Sequence, residues 1–170
     1  MGLLENEAVL IFGGNIGDTI CIFESAITEI QKNGCKISNA SSTYRTAPWG
    51  FTEQRHFLNK VYQIQTDLTP YQLFELTQSI EKNHMKSKSF DNGPRILDID
   101  ILYFGNKIID LDDLKIPHPR MHLRRFNLAP LLEILPEHKH PITGLSTSKM
   151  LEACDDESEI QLIETKRCTS

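Results

Sequence analysis

The stretch Ala8-Val-Leu-Ile-Phe12, followed by Gly13-Gly-Asn-Ile-Gly17, determines how the fold of this chain begins. The first five residues are apolar and include β-branched side chains, which predicts a short buried strand. The glycines permit positive φ angles and a close backbone approach, which predicts a tight loop into a helix. The loop lacks the Lys-Ser/Thr of a Walker motif, and its third glycine is misplaced for a dinucleotide fingerprint. A structural turn is therefore the first interpretation of this loop.

Hydrophobic periodicity extends the prediction along the chain. The next elements are a helix from Asp18 or Thr19 to Gly34, strands over 37–46 and 56–66, a helix from Thr69-Pro70 to about Asn83, and a strand over 96–104. This order predicts an α+β fold, the ferredoxin-like split βαβ arrangement, with helices on one face of a mostly antiparallel sheet. The last elements are a hairpin through Gly105-Asn106 into 107–109, a helix over 124–135 that contains Pro130, a short helix near 148–154 and a strand over 160–165.

Size and composition limit the class of protein. The chain has 170 residues, of which 39% are hydrophobic and 24% charged, and this predicts a single domain over 1–170. Its apolar runs are far shorter than the ~20 residues of a membrane-spanning helix, and the N-terminus has no signal core, so we expect a soluble, cytoplasmic protein that does not bind membranes. The four cysteines lack zinc-site spacing, and we expect reduced thiols. The net charge of −5 argues against nucleic-acid binding, and we expect a monomer that acts on small molecules.

The strand around Asp98 and Asp100 gives the sharpest functional signal. Strand side chains alternate, so Asp98 and Asp100 share one face while Leu97, Ile99, Ile101 and Tyr103 face the core. Two carboxylates on one face repel each other unless solvent or a cation neutralises them. An exposed, solvated strand face is the ordinary explanation of Asp-x-Asp. Here, however, the pair follows Arg95 and a lysine-bearing loop, and carboxylates beside cationic groups are typical of a magnesium–polyphosphate site.

Several strings in the chain occur together in one known family. They are Gly13-Gly14-Asn15-Ile16-Gly17, Tyr44-Arg-Thr-Ala-Pro48, Phe57-Leu-Asn59, Gly93-Pro-Arg-Ile-Leu-Asp-Ile-Asp-Ile101, Pro117-His118 and Arg124-Arg-Phe126. By these strings the chain resembles the bacterial hydroxymethyl-dihydropterin pyrophosphokinases from Gly13 to about Leu135. Taken singly, His118, Arg124, Phe57 and Phe126 would be ordinary surface or core residues. Their common order makes a functional interpretation the stronger one.

The resemblance implies a role for each matching position. Two Mg²⁺ ions would be held by Asp98 and Asp100. The catalytic groups would be these two aspartates with Arg95, Lys86 and Lys88. ATP, the co-substrate, would contact Gln78, Glu81, Arg95, His118 and Arg124. The pterin would lie between Phe57 and Phe126, with Asn59 at its polar edge and Thr46, Pro48 and Trp49 nearby.

The reaction that the resemblance implies is pyrophosphate transfer in folate biosynthesis. The hydroxymethyl oxygen of the pterin attacks the β-phosphorus of ATP and AMP leaves. The loop over 84–95, with Lys86, Lys88 and Arg95, would close over the reactants and exclude water. Lysine occupies positions where the family commonly has arginine, which removes the bidentate fork and predicts a lower loop-dependent rate.

Two other interpretations remain open from the residues alone. A phosphatase with Asp98 as nucleophile shares the Asp-x-Asp spacing, but such enzymes place this motif early in the chain, at the end of a strand in a parallel sheet. A ferredoxin-like metal or regulatory module without catalytic activity is the other alternative. That module would not need Phe57, Asn59, Arg95, His118 and Arg124 together.

Overall fold

We describe the fold from a computed structural model, which defines residues 2–48, 50–85 and 93–164. Its elements are β1 (Glu7–Gly14), α1 (Thr19–Lys32), β2 (Lys36–Ala40), β3 (Thr43–Thr46), β4 (Phe57–Gln65), α2 (Pro70–His84), β5 (Asp98–Phe104), β6 (Ile109–Asp110), β7 (Lys115–Ile116), a 3₁₀ turn (Met121–Leu123), α3 (Arg125–Ile134), α4 (Thr147–Glu152) and β8 (Ile160–Ile163). Strands β5-β1-β4-β3-β8 form the main sheet in that order, and β2 also pairs with β4. All of these pairs are antiparallel, which confirms the predicted α+β class.

The first two helices start where the sequence predicts. The side chain of Asp18 accepts a hydrogen bond from the N–H of Cys21 at the start of α1. Thr69 and Gln72 form a reciprocal capping box at the start of α2, with Pro70 in its first turn. Gly34 has a φ of +86°, the left-handed conformation that ends α1 at low steric cost.

The sheet is covered on both faces, which corrects the expectation of helices on one face only. Alternate residues of β1, such as Leu10 and Phe12, pack with Phe23 of α1 in one core cluster. Val9 and Ile11 point the other way and pack with Leu131 of α3 in a second cluster. A central strand buried on both faces needs apolar side chains at every position, and this is why Ala8–Phe12 is a continuous apolar run.

Three local predictions differ from the structure. Residues 37–46 form two strands instead of one, interrupted at Ser41 and Ser42, because the hydroxyl of Ser41 binds the N–H of Val61. The segment after Gly105 pairs with β7 and not with β5. A register shift opposite Val9 and Leu10 places Tyr103 in the second core cluster, opposite in face to Ile101.

Three of the four cysteines lie in the described part of the chain. Cys35 and Cys154 are free thiols, as expected, whereas Cys21 is disulfide-bonded, so the prediction of reduced thiols is wrong for that residue. Among the described residues, no helix is both long and apolar enough to cross a membrane.

Candidate active site

Asp98 and Asp100 lie on β5 where it pairs with β1. Asp98 is opposite Gly13 and Asp100 is opposite Ile11. Ile99 is buried between them in the first core cluster, while the two aspartate side chains remain 38% and 48% exposed. The predicted alternation is therefore confirmed at these positions, and both carboxylates are accessible to a ligand.

Cationic or potentially cationic groups stand next to both carboxylates. A guanidinium nitrogen of Arg95 lies 3.1 Å from Oδ2 of Asp98. Nε2 of His118 lies 3.9 Å from Oδ2 of Asp100. Nδ1 of His118 accepts a hydrogen bond from the N–H of Arg120, which leaves Nε2 directed at the aspartate.

The surroundings shift the pKa values of Asp100 and His118 in opposite directions. Burial raises the pKa of Asp100, the nearby Asp98 raises it further, and Arg95 opposes the shift. Burial lowers the pKa of His118, as do Arg120 and Arg124, whereas Asp98 raises it. Asp100 is thus costly to ionise by itself, and a cation beside it would offset that cost.

One cavity of about 320 Å³ brings most of the predicted site residues together. Its lining includes nine of them: Thr46, Phe57, Asn59, Arg95, Asp98, Asp100, His118, Arg124 and Phe126. These residues come from β3, β4, the segment before β5, β5 itself, the segment after β7 and the start of α3. The fold therefore joins the motifs that the sequence separates by up to 80 residues.

The aromatic and amide groups occupy one side of this cavity. Phe57 begins β4 and is paired with Thr46 of β3. The side-chain amide of Asn59 donates to the hydroxyl of Thr46 at 2.8 Å, and both residues are buried. Phe126 lines the cavity from α3, with the Arg124 guanidinium 5.9 Å from its ring centre. A flat heterocycle with a polar edge matches this combination of rings and amide.

Asn15, which the sequence presented only as part of a turn, holds three segments of the site together. Its side-chain amide donates to Oε1 of Gln54 and to the carbonyl of Arg55, both at 2.9 Å. Its Oδ1 accepts from the backbone N–H of Arg95 at 2.8 Å, and its own N–H donates to the Arg95 carbonyl. The glycine loop forms the predicted turn between β1 and α1. Its support of the Arg95 backbone was not predicted.

Close packing explains the glycine before Asn15. A Cβ on Gly14 would lie 2.5 Å from the carbonyl oxygen of Ile96. This distance is shorter than real Cβ contacts allow, so a larger residue would push the 95–96 backbone away from the loop.

A second cavity of about 250 Å³ adjoins the first and shares Asp100, His118 and Pro119 with it. Its other lining residues are Phe74, Ile99, Ile101, Asp112, Asp113, Leu114 and Lys115.

Some predicted residues lie apart from the main cavity or outside the description. Gln78 is exposed on α2, and Pro48 does not line either cavity. Glu81 lines neither cavity, but its carboxylate accepts from the N–H of Ile99, between the two aspartates. Trp49, Lys86 and Lys88 lie outside the described residues, so their predicted roles stay predictions.

Sequence reasoning missed other lining residues. Arg120 and Asn127 both face the main cavity. Arg120 belongs to the run Pro117-His118-Pro119-Arg120, in which only His118 was predicted to have a role. Asn127 is a polar side chain, 3% exposed, inside an apolar helix, and that contrast is a signal that was available.

The donor set suits a magnesium ion that is shared with a phosphate ligand. Within residues 2–48, 50–85 and 93–164, no group of three or more His, Cys, Asp and Glu side chains could hold a metal ion by itself. Mg²⁺ commonly binds through one or two carboxylates and completes its shell with phosphate oxygens and water. Asp98 and Asp100 fit that pattern.

Residues 9–136 match the family model described as 7,8-dihydro-6-hydroxymethylpterin-pyrophosphokinase. A Bacillus subtilis protein named 2-amino-4-hydroxy-6-hydroxymethyldihydropteridine pyrophosphokinase is 37% identical over 86% of this chain and 88% of its own length. The protein of the same name from Aquifex aeolicus is 38% identical over 76% of this chain and 81% of its own length.

Longer relatives match as well. The folic acid synthesis protein fol1 of Pneumocystis carinii is 42% identical over 90% of this chain, but the chain spans only 21% of that protein. The chain likewise spans 22% of the FOL1 protein of Dictyostelium discoideum. A crystal structure of an HPPK-DHPS in complex with substrates shares the fold at a TM-score of 0.69, with 21% identity over 88% of this chain and 43% of its own.

Proposed function

This chain belongs to the 7,8-dihydro-6-hydroxymethylpterin-pyrophosphokinase family, and from that premise we propose that it transfers pyrophosphate from ATP to 6-hydroxymethyl-7,8-dihydropterin in folate biosynthesis. The observation that supports this activity best is the content of the main cavity. Two carboxylates, the cationic side chains of Arg95 and Arg124, and two phenylalanine rings all line it. A diphosphoryl transfer to a flat heterocycle requires this combination.

The pterin is assigned to the side of the cavity that holds Phe57 and Phe126. Both rings line the same space, so a planar ring system gains stacking area from each. Asn59 stands at the edge with its amide nitrogen fixed by Thr46, which leaves its carbonyl oxygen to accept from the pterin.

We assign ATP to the two adjoining cavities, which share Asp100, His118 and Pro119. Arg95, His118 and Arg124 would contact the triphosphate in the main cavity. The second cavity, which has the half-buried ring of Phe74 in its lining, is the space proposed for the nucleoside. Direct contacts of Gln78 and Glu81 with ATP stay predictions of the family resemblance.

Asp98 and Asp100 would hold two Mg²⁺ ions, and the number of two comes from the family resemblance. Bound there, the ions would neutralise charge on the polyphosphate. The partly exposed carboxylates on one strand face support a cation site at this position.

In the proposed reaction the hydroxymethyl oxygen of the pterin attacks the β-phosphorus of ATP, and its proton passes to one of the two aspartates or to water. The bond between the β-phosphorus and the oxygen that bridges to the α-phosphate breaks, AMP leaves with that oxygen, and the β- and γ-phosphates move together. Arg95 and Arg124 stabilise negative charge on the transferring and leaving groups, and the walls of the cavity align the two reactants.

The experiment is a measurement of AMP from ATP and Mg²⁺, with and without hydroxymethyl-dihydropterin. We expect stoichiometric AMP and pterin diphosphate from the native chain. We expect the rate to fall by about a hundredfold or more in Asp98→Asn, because removing one charge-stabilising group commonly costs that much. Asp67→Asn, an exposed aspartate in the turn before α2, is the matched control and should retain the native rate.

Other products would reject the proposal. ADP as the nucleotide product would indicate an ordinary kinase, and free phosphate a phosphatase with Asp98 as nucleophile. An absence of nucleotide turnover would favour the binding-module interpretation. The single domain over 1–170, the monomeric state, the cytoplasmic location, the lack of nucleic-acid binding and the closure of the 84–95 loop with Lys86 and Lys88 stay predictions.

A further inference from the structure

The segment after α4 contacts the main cavity's framework at two points. Oδ2 of Asp156 accepts a hydrogen bond from the backbone N–H of Arg125, the first residue of α3, at 2.9 Å. Strand β8 begins four residues further on and pairs with β3, with Ile160 opposite Thr46. Both contact points neighbour cavity-lining residues, and the segment lies beyond residues 9–136 that match the family model.

Helix α3 begins without a cap of its own. Its N-cap residue, Arg124, makes no side-chain capping hydrogen bond, and its first turn contains no acidic residue. The first N–H groups of a helix have no partner within the helix, and a negative charge beside them is stabilising. Asp156 supplies both the acceptor and the charge from 31 residues away in the chain.

The carboxylate of Asp156 is itself held in place. Its Oδ1 accepts from the backbone N–H of Ser158 at 2.9 Å and from the Ser158 hydroxyl. Burial by itself raises the pKa of Asp156, but the hydrogen bonds from Ser158 and Arg125 and the charge of Arg124 outweigh burial and lower the pKa below its usual value. The Asp156 carboxylate is therefore ionised at neutral pH. It accepts the hydrogen bond from the Arg125 N–H and attracts the charge of Arg124.

Arg125 is flanked in sequence by Arg124 and Phe126, both of which line the main cavity. Any shift of the first turn of α3 moves the guanidinium and the ring together. A small displacement of binding groups has a large effect on a reaction that depends on alignment.

We propose that Asp156 is a positioning residue, which holds the first turn of α3 so that Arg124 and Phe126 stand at the polyphosphate and pterin ends of the cavity. The proposal rests on the proposed function of that cavity. It assigns a role to the C-terminal part of the chain, where no sequence motif indicates a link to the chemistry.

The test compares Asp156→Ala with Glu157→Ala, which removes the same charge from the next, exposed residue. We expect Asp156→Ala to raise KM for both Mg-ATP and hydroxymethyl-dihydropterin by about fivefold, the size of effect that loss of a helix cap produces. The Glu157→Ala values should stay within twofold of native. Amide hydrogen exchange at Arg125 should accelerate only in Asp156→Ala.

The exchange measurement separates this proposal from the proposed function. If the native chain forms no AMP, the proposed function fails, while the exchange rate at Arg125 and the affinity for Mg-ATP measured by calorimetry still report on Asp156. Unchanged exchange and unchanged affinity in Asp156→Ala overturn the positioning role. Equal losses in Asp156→Ala and Glu157→Ala overturn it too, because they would indicate a general charge effect.

A second variant, Asp156→Asn, separates a specific loss of positioning from misfolding. Asp156→Asn keeps the volume and one acceptor oxygen but lacks the charge that attracts Arg124. We expect its KM values to lie between those of the native chain and Asp156→Ala. Native KM values with a lowered melting temperature in both variants would mean that Asp156 is only structural, and would reject the proposal.

Discussion

The Glu81 carboxylate accepts a hydrogen bond from the backbone N–H of Ile99, with 2.6 Å between Oε1 and the nitrogen. Ile99 stands between Asp98 and Asp100 on β5, which is an edge strand of the main sheet. A third carboxylate therefore approaches the pair from α2. The pKa of Glu81 is raised to about 7. Burial is the largest cause and the two aspartates add to the rise, while the hydrogen bond from the Ile99 N–H opposes it. The contact fixes the exposed edge of the strand that holds both aspartates.

Replacing Glu81 tests whether it supports the strand or contacts ATP. Glu81→Gln retains an acceptor for the Ile99 N–H, so we expect kcat within about threefold of native. Glu81→Ala leaves that N–H without its partner, and we expect kcat to fall by about tenfold. Steady-state measurement of AMP formation checks both values, with Glu75→Ala on the exposed side of α2 as control. A large rise in KM for ATP in both variants, with kcat preserved, would instead support direct contact with ATP.

Asn15 allows a separate prediction about the support of Arg95. Asn15→Ala removes the acceptor for the Arg95 N–H and the donor to the Arg55 carbonyl at a position that is 5% exposed. We expect the free energy of unfolding to fall by about 2 kcal/mol, since buried groups lose their partners. We expect kcat to fall with it, because the Arg95 backbone loses its anchor beside Asp98.

Urea denaturation and AMP assays of the same samples check the Asn15 prediction. Asn33→Ala is the control, since the Asn33 side chain also bonds a backbone carbonyl but is exposed at the end of α1. We expect Asn33→Ala to lower the free energy of unfolding by less than about 0.5 kcal/mol. Native stability in Asn15→Ala would contradict the support that we assign to it.

The sequence predicted the common face of the two aspartates better than the framework around them. Alternation along a strand is a local property, so the common face of Asp98 and Asp100 followed from the sequence alone. The reversed face of Tyr103 did not, because the register shift arises from pairing with Val9 and Leu10, which are far away in the chain. Asn15 and Asp156 act through backbone groups of distant segments, and a single sequence has no pattern for such contacts.

The hydrogen bond between Asn59 and Thr46 predicts a selective effect on the pterin. Thr46→Val keeps the shape of the side chain but removes the oxygen that accepts from the Asn59 amide at 2.8 Å. The amide then loses its fixed orientation, and we expect KM for the pterin to rise by about tenfold while KM for ATP stays near native.

The control for Thr46→Val is another buried threonine. The Thr147 hydroxyl is buried without a hydrogen-bond partner in the described part of the chain. Thr147→Val should leave both KM values unchanged and should not lower stability. Equal effects of Thr46→Val on the two substrates would show that the Asn59 contact does not orient the pterin.

A cluster of buried histidines predicts how stability depends on pH. His138 and His140 are 1% and 3% exposed, and both rings contact that of Tyr103. Burial, with smaller contributions from the neighbouring His122 and His138, lowers the pKa of His140 to about 4. Its Nδ1 accepts from the N–H groups of Ile142 and Thr143, a role that requires this nitrogen to be unprotonated.

Protonation of His140 is thus easier in the unfolded chain than in the folded one. Between pH 6.5 and pH 4 the unfolded state binds more protons, so acidification in this window lowers the free energy of unfolding. The contribution of His140 alone to this loss is on the order of 3 kcal/mol.

His140→Asn supplies an amide oxygen in place of Nδ1 and removes the titration. Urea denaturation at pH 7 and pH 4.5 should give a smaller loss of stability in His140→Asn than in the native chain. His56→Asn, at an exposed position, should retain the native difference. The same pH dependence in the native chain and His140→Asn would mean that His140 is already protonated in the folded state, or that its burial does not resist protonation.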